Sequence, residues 1–187
     1  NGRRGSIGFK DDQAPPPHLH WDLWQGPAER RDYNPNYVHY NWHWFWRYGN
    51  GEIGNQGIHQ MDVAIWGMNK GLPVRVSSDG GRYTYTDQGE TPNTHVSMLK
   101  YADGTMTVFE VRNRFTNREE GVGVGNLFYA DEGYYVEGKG FFDKGNNPIP
   151  VDAEKYPYPD VPDSFQTFLN AVKSGRKEDI HGTMREA

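Results

Sequence analysis

The sequence predicts an α+β fold in which an open, mostly antiparallel β-sheet carries helices packed on one face. Three observations predict it. Between Gly54 and Asn69 the apolar residues Ile58, Met61, Ile65 and Met68 recur at the spacing of a buried helical face. Short β-rich runs then follow at 73–78, 95–101, 105–112, 122–130 and 133–137, parted by turn signals such as Ala102-Asp103-Gly104-Thr105. From Asp163 to Ser174 the spacing turns helical again, with Phe165, Phe168, Leu169 and Val172 in phase. Strands in a run, not alternating with helices, argue for hairpins and against a doubly wound parallel sheet.

The elements before the first helix are less regular. Residues 1–36 read as an N-terminal strand followed by an extended surface arm, because Pro15-Pro16-Pro17, Gly26-Pro27 and Asn34-Pro35 favour extended or turn backbone. Residues 37–187 then hold the sheet and helices of what reads as a single domain. Asn36 to Tyr48 is the densest aromatic stretch of the chain, with Tyr37, Tyr40, Trp42, Trp44, Phe45, Trp46 and Tyr48. In extended backbone Trp42, Trp44 and Trp46 would face away from His43 and Phe45. Gly49-Asn50-Gly51 predicts a turn before the helix, and the last helix has Asp163 or Ser164 as its N-cap and Gly175 as its stop.

Composition narrows the function classes. The 187 residues include 20 Lys plus Arg against 25 Asp plus Glu, for a net charge of −5, and the cations are scattered. Nucleic acid is therefore an unexpected partner. No apolar run approaches the roughly 20 residues that span a bilayer. The absence of Cys excludes disulfides and thiolate chemistry but leaves the compartment open. The chain starts at Asn1 without a signal-like segment and stops at Ala187 without a helix terminator, as in a fragment or processed chain.

Several motifs bear on chemistry. Gly121-Val122-Gly123-Val124-Gly125-Asn126 has the look of a dinucleotide fingerprint, but Asn126 and Phe128 stand where its third glycine belongs, and a strand-like run follows where a helix is needed. No cofactor-binding residue is expected in this chain. His18, His20 and Asp22, or His39 with His43, offer imidazole and carboxylate ligands at spacings too loose to define a metal site, so no metal is expected. The helix after Gly54 aligns Asn55, His59, Asp62 and Trp66 in a second, polar stripe. His59 on that stripe is either a hydrogen-bonded structural residue or a general base. The aromatic block reads in the same double way, as core or as flat walls for the C–H face of a sugar whose hydroxyls His39, Asn41 and His43 would reach.

The run Asn41-Trp42-His43-Trp44-Phe45-Trp46-Arg47-Tyr48-Gly49-Asn50-Gly51, followed by Glu52-Ile53-Gly54-Asn55-Gln56-Gly57-Ile58-His59-Gln60-Met61-Asp62 and Trp66, resembles the C-terminal domain of the Gfo/Idh/MocA oxidoreductases, relatives of glucose-fructose oxidoreductase and inositol dehydrogenase. The likeness continues through 90–94 and 129–133. It implies a substrate-binding and oligomerisation domain whose companion Rossmann domain, absent here, binds NAD or NADP. It further implies that His59 and Asn55 are catalytic, His59 taking a proton from a sugar or polyol hydroxyl. Tyr40, His43, Trp44, Arg47 and Asp62 would then contact substrate. The family often places Asp where Asn55 stands, and an amide orients an imidazole without stabilising its charged form. The implied partners are a sugar or polyol, the Rossmann domain, and further copies of the chain through the sheet. The isolated chain would be inactive. The alternatives are a non-catalytic carbohydrate-binding or assembly module, and a glycoside-cleaving relative working through transient oxidation.

Overall fold

In the computed structural model, residues 5–83, 85–112, 118–152, 154–155 and 163–180 are described. The expected N-terminal strand does not form over residues 5–10, which run as irregular backbone. The arm does not merely wrap the surface. It contains the short helix α1 (Trp21–Gln25) and supplies Trp21 and Tyr33 to a buried aromatic cluster with Tyr37 and Phe45. Trp21 stacks on Trp24 at 4.8 Å between ring centroids and meets Tyr33 edge-on at 5.3 Å, while Phe45 meets Tyr37 edge-on at 4.7 Å. Aromatic rings bury large areas and prefer these offset and edge contacts, so a chain with few aliphatic residues can still close a core.

The aromatic block is not extended. Asn41–Trp44 forms a 3₁₀ turn, which brings Trp44 and Phe45 together into the interior and sends Trp46 outward, instead of placing the three Trp on one face. After the glycine turn comes a π-helical turn, Ile53–Gly57, which runs directly into α2 (Ile58–Met68). The helix ends at Asn69, whose left-handed backbone (φ 49°) lets its N–H reach the Ile65 and Trp66 carbonyls.

Strands β1 (Arg75–Gly81), β2 (Thr94–Lys100) and β3 (Met106–Arg112) make a three-stranded antiparallel meander. Its register pairs His95 with Gly80 and Val111, and Ser97 with Ser78 and Phe109, so these residues share one face. That face is covered by the helix. A Cβ at Gly57 would come within 2.5 Å of the Phe109 ring, and the Thr107 hydroxyl donates to Met68 Sδ at 3.7 Å. The helix therefore buries Gly57 and Ala64 and partly buries Met61 and Met68, whereas Ile58 and Ile65, expected in the core, are exposed. Small residues win the contact because they let the helix approach the sheet closely.

β4 (Leu127–Ala130), β5 (Gly133–Val136), β6 (Gly140–Asp143) and β7 (Pro148–Ile149) form a second sheet in that order. β6 and β7 were not evident from the sequence. α3 (Ser164–Ser174) has the expected caps, the Asp163 carboxylate accepting from the Gln166 N–H at 2.8 Å and Gly175 closing the helix in left-handed backbone. It buries Thr167 and Ala171 and exposes Phe165, Phe168, Leu169 and Val172. The chain divides into two compact units, residues 1–129 with 135–139 and residues 130–134 with 140–187. Among the described residues no helix is long and apolar enough to cross a membrane.

Within the first unit, the Asp87 side chain is densely bonded. Its fully buried carboxylate accepts from Arg82 Nε at 2.6 Å and from the backbone N–H groups of Ile7 and Gly89, while Arg82 also donates to the Thr91 carbonyl. Burial alone would raise the carboxyl pKa, but the bonds from Arg82, Ile7 and Gly89 and the Arg82 charge together hold it below the usual carboxylate range. A folded-state value below the unfolded one means the stabilisation is present above roughly pH 4 and is lost as pH falls through the folded-state value. In urea unfolding, Asp87→Ala is expected to cost about 3 kcal/mol at neutral pH and to flatten the acid limb of stability against pH. A loss below about 1 kcal/mol, the level of a surface pair, would show that the contact is dispensable.

Candidate functional site

The candidate site is assembled where the aromatic block meets the π turn. Two glycines make the junction possible. Gly51 adopts φ 73° and sits against Thr91, so close that a Cβ would lie 2.9 Å from the Thr91 side chain, and its N–H donates to the His43 carbonyl at 2.9 Å. Gly57 lets the π turn settle onto Phe109. A π turn at the start of a helix is rare and often marks a functional position, because it rotates the preceding side chains relative to the helix that follows.

Around that junction the structure brings together Tyr40, His43 and Asn55. The Asn55 amide lies 3.5 Å from the Tyr40 hydroxyl, and the Tyr40 and His43 rings are 4.6 Å apart. His43 Nδ1–H donates to the Tyr40 carbonyl, which leaves Nε2 as the acceptor, and the ring stacks on Trp42 at 3.7 Å. Its neutral tautomer is thereby set by the backbone. His59, one helical turn after Asn55, and Asp62 are exposed on α2. Next to them Trp66 is 71% exposed, and with Ile58 and Ile65 it gives the helix an apolar margin facing solvent.

Two residues expected to wall the site sit elsewhere. Trp44 is only 6% exposed and stands edge-on behind Tyr40 at 6.3 Å, so it supports that ring and cannot present its own face to a ligand. Arg47 is engaged with Glu29, donating to its carboxylate at 2.8 Å and to its carbonyl at 2.9 Å. The exposed His18, His20 and Asp22 belong to no group of three or more ligands placed to hold a metal, among the described residues. The glycine run at 121–125 is followed by β4, a strand, and so lacks the helix N-terminus that a pyrophosphate requires.

A buried polar row behind the site escaped sequence reasoning. Glu52, next to the π turn, is 1% exposed, and Thr91, Asn93 and His95, alternate residues entering β2, are also buried. Burial pushes the His95 imidazole below its usual pKa, against the opposing charge of Glu52. The available signal was the spacing of Gly51, Gly54 and Gly57, three residues apart, which marks a segment pressed against a neighbour on one side.

The family of oxidoreductases described by its C-terminal alpha/beta domain, Gfo/Idh/MocA, matches residues 5–182. The chain belongs to this family. No curated protein matches it. In this Gfo/Idh/MocA domain, the helix carrying His59 is thus held by contacts to the sheet that depend on Gly57. Replacing Gly57 by Ala is expected to lower stability by about 1–3 kcal/mol through overpacking against Phe109. A double-mutant cycle with Phe109→Leu should recover part of that loss, and strictly additive effects in thermal unfolding would refute the contact.

Proposed function

We propose that this domain is the substrate-binding and proton-accepting half of an NAD(P)-dependent oxidoreductase acting on a sugar, polyol or glycoside hydroxyl. The observation that carries the reading is the exposed His59 one turn beyond Asn55, whose amide adjoins Tyr40 in a group with His43. Family membership supports an oxidoreductase.

In this reading each residue has a distinct task. His59, reachable from solvent, accepts the proton of the reacting hydroxyl, a role that suits imidazole near neutral pH. Asn55 orients substrate or imidazole through its amide without adding charge. His43 Nε2 accepts from a second hydroxyl, and Tyr40 offers a hydroxyl and a half-exposed ring. Asp62 supplies a further acceptor on the same helix. The run at 121–125 leads into a strand and offers no helix N-terminus to a pyrophosphate; in this reading the cofactor is held by a companion nucleotide-binding domain. A nicotinamide held there would supply the hydride acceptor for the carbon that bears the hydroxyl. The exposed Ile58, Ile65 and Trp66 beside His59 support docking of that companion over the site.

Self-association is part of the proposal. The sheet face opposite α2 exposes Val96 and Met98 on β2 and Met106 and Val108 on β3, with Met98 paired to Val108 and with Glu110 and Lys100 opposite Val96 and Met106. A second copy would cover it.

In the intact enzyme containing this domain, His59→Ala is expected to lower kcat by roughly 10²-fold or more with little change in KM. A loss of only a few-fold would overturn the catalytic assignment, and product analysis on glycosides separates simple oxidation from cleavage. For the assembly, sedimentation of Met98→Glu should yield monomers where the unaltered chain forms oligomers. An unchanged sedimentation coefficient would remove the sheet face from the interface.

A further inference from the structure

Arg47 lines a cleft of its own. The cleft has a volume of about 450 Å³ and is bordered by Glu29, Arg31, Trp46, Arg47 and Glu90, none of which belongs to the Tyr40–His43–Asn55 group. Its volume lies within the range of small-molecule sites, about 300–1,000 Å³. The indole of Trp46 is 59% exposed, an uncommon placement for the largest side chain in a polypeptide. The polar border is held in place before any ligand arrives. The Trp46 backbone N–H donates to the Glu90 carboxylate at 2.8 Å, the backbone N–H groups of Glu90 and Thr91 both donate to the Trp44 carbonyl, Arg47 pairs with the exposed Glu29 carboxylate, and the Arg31 guanidinium lies 4.7 Å from the Tyr37 ring centroid.

The chemistry of this border selects the ligand. Two carboxylates and two guanidinium groups cancel, so the cleft has no preference for an ion of either sign. What remains is one flat apolar surface ringed by acceptors and donors. A hydroxyl group both donates and accepts, and a pyranose has an apolar C–H face with hydroxyls around its rim. We propose that the Glu29–Arg31–Trp46–Arg47–Glu90 cleft is a second, non-catalytic saccharide subsite, in which Trp46 stacks on a neutral sugar ring while Glu29, Glu90, Arg31 and Arg47 hold its hydroxyls.

This inference rests on the proposed action on sugars and extends it to a longer saccharide or glycoside, of which one ring occupies the cleft. Preorganised polar groups lower the ordering cost of binding, and a single exposed Trp is the side chain on which such affinity concentrates.

The test is a titration of the full chain with maltotriose, cellotriose and xylotriose, followed by calorimetry and by the Trp indole N–H signals in ¹⁵N NMR, with the Trp46 signal assigned from Trp46→Phe. At least one trisaccharide is expected to shift the Trp46 signal. Its affinity should fall roughly tenfold or more in Trp46→Ala and be largely retained in Trp46→Phe. Near-UV circular dichroism establishes that the variants keep the fold. No shift at Trp46 with any of the three sugars, or binding that survives Trp46→Ala, overturns the subsite. Binding that His59→Ala abolishes and Trp46→Ala does not would also overturn it, while leaving the function proposed for His59 standing. Trp46-dependent binding alongside an inactive-site result for His59 would support the subsite and count against that function alone.

Discussion

The Arg82–Asp87 ion pair is the constraint on which the first unit depends. A carboxylate with no solvent exposure is costly unless several donors surround it, and Asp87 draws them from Arg82, from the Ile7 backbone and from Gly89. The donors come from two stretches of irregular chain, Ile7 from the first and Arg82 and Gly89 from the second. The pair thus ties the N-terminal arm to the loop between β1 and β2, and Arg82 extends the tie to the Thr91 carbonyl. The same loop is bonded through the Glu90 and Thr91 N–H groups to Trp44, inside the aromatic block. One buried charge pair therefore sets the position of backbone that has no regular secondary structure of its own.

The aromatic cluster complements this arrangement. Trp21, Tyr33, Tyr37 and Phe45 interlock by stacked and edge contacts, and the polar ends of the rings find partners, as when the Trp21 indole donates to the Arg31 carbonyl at 2.8 Å. Buried Asn34 does the same for the backbone, donating to the Lys10 carbonyl and accepting from the Asn36 N–H. An arm rich in proline can be ordered in this way because its bonds go to side chains and to other loops instead of to a ladder.

The helix that carries His59 takes its position from close approach. Gly57 against Phe109 and Gly51 against Thr91 bring the π turn down onto the sheet and onto the loop held by Arg82. Larger apolar residues on the same helix, Ile58, Ile65 and Trp66, are left outside beside His59. Packing that favours glycine thus serves both ends at once, seating the helix while keeping its polar stripe and apolar margin open to solvent.

The antiparallel class of the sheet, the two main helices on either side of the strands and the caps of α3 were legible from the sequence, because they follow from local periodicity and from residues such as Asp163 and Gly175 whose backbone preferences act over a few positions. The helix bearing Asn55 and His59 was legible for the same reason. What only the tertiary structure decided is which sides of those elements are buried. Apolar spacing assigned Ile58 and Ile65 to the core, but the sheet accepted Gly57 and Ala64, and alternation assigned the three Trp of the block to one face, but a 3₁₀ turn separated them. Periodicity records that an element has faces. Which face is covered depends on the shape of what lies across from it, and Phe109, Thr91 and Asp87 reach their partners only once distant parts of the chain have met.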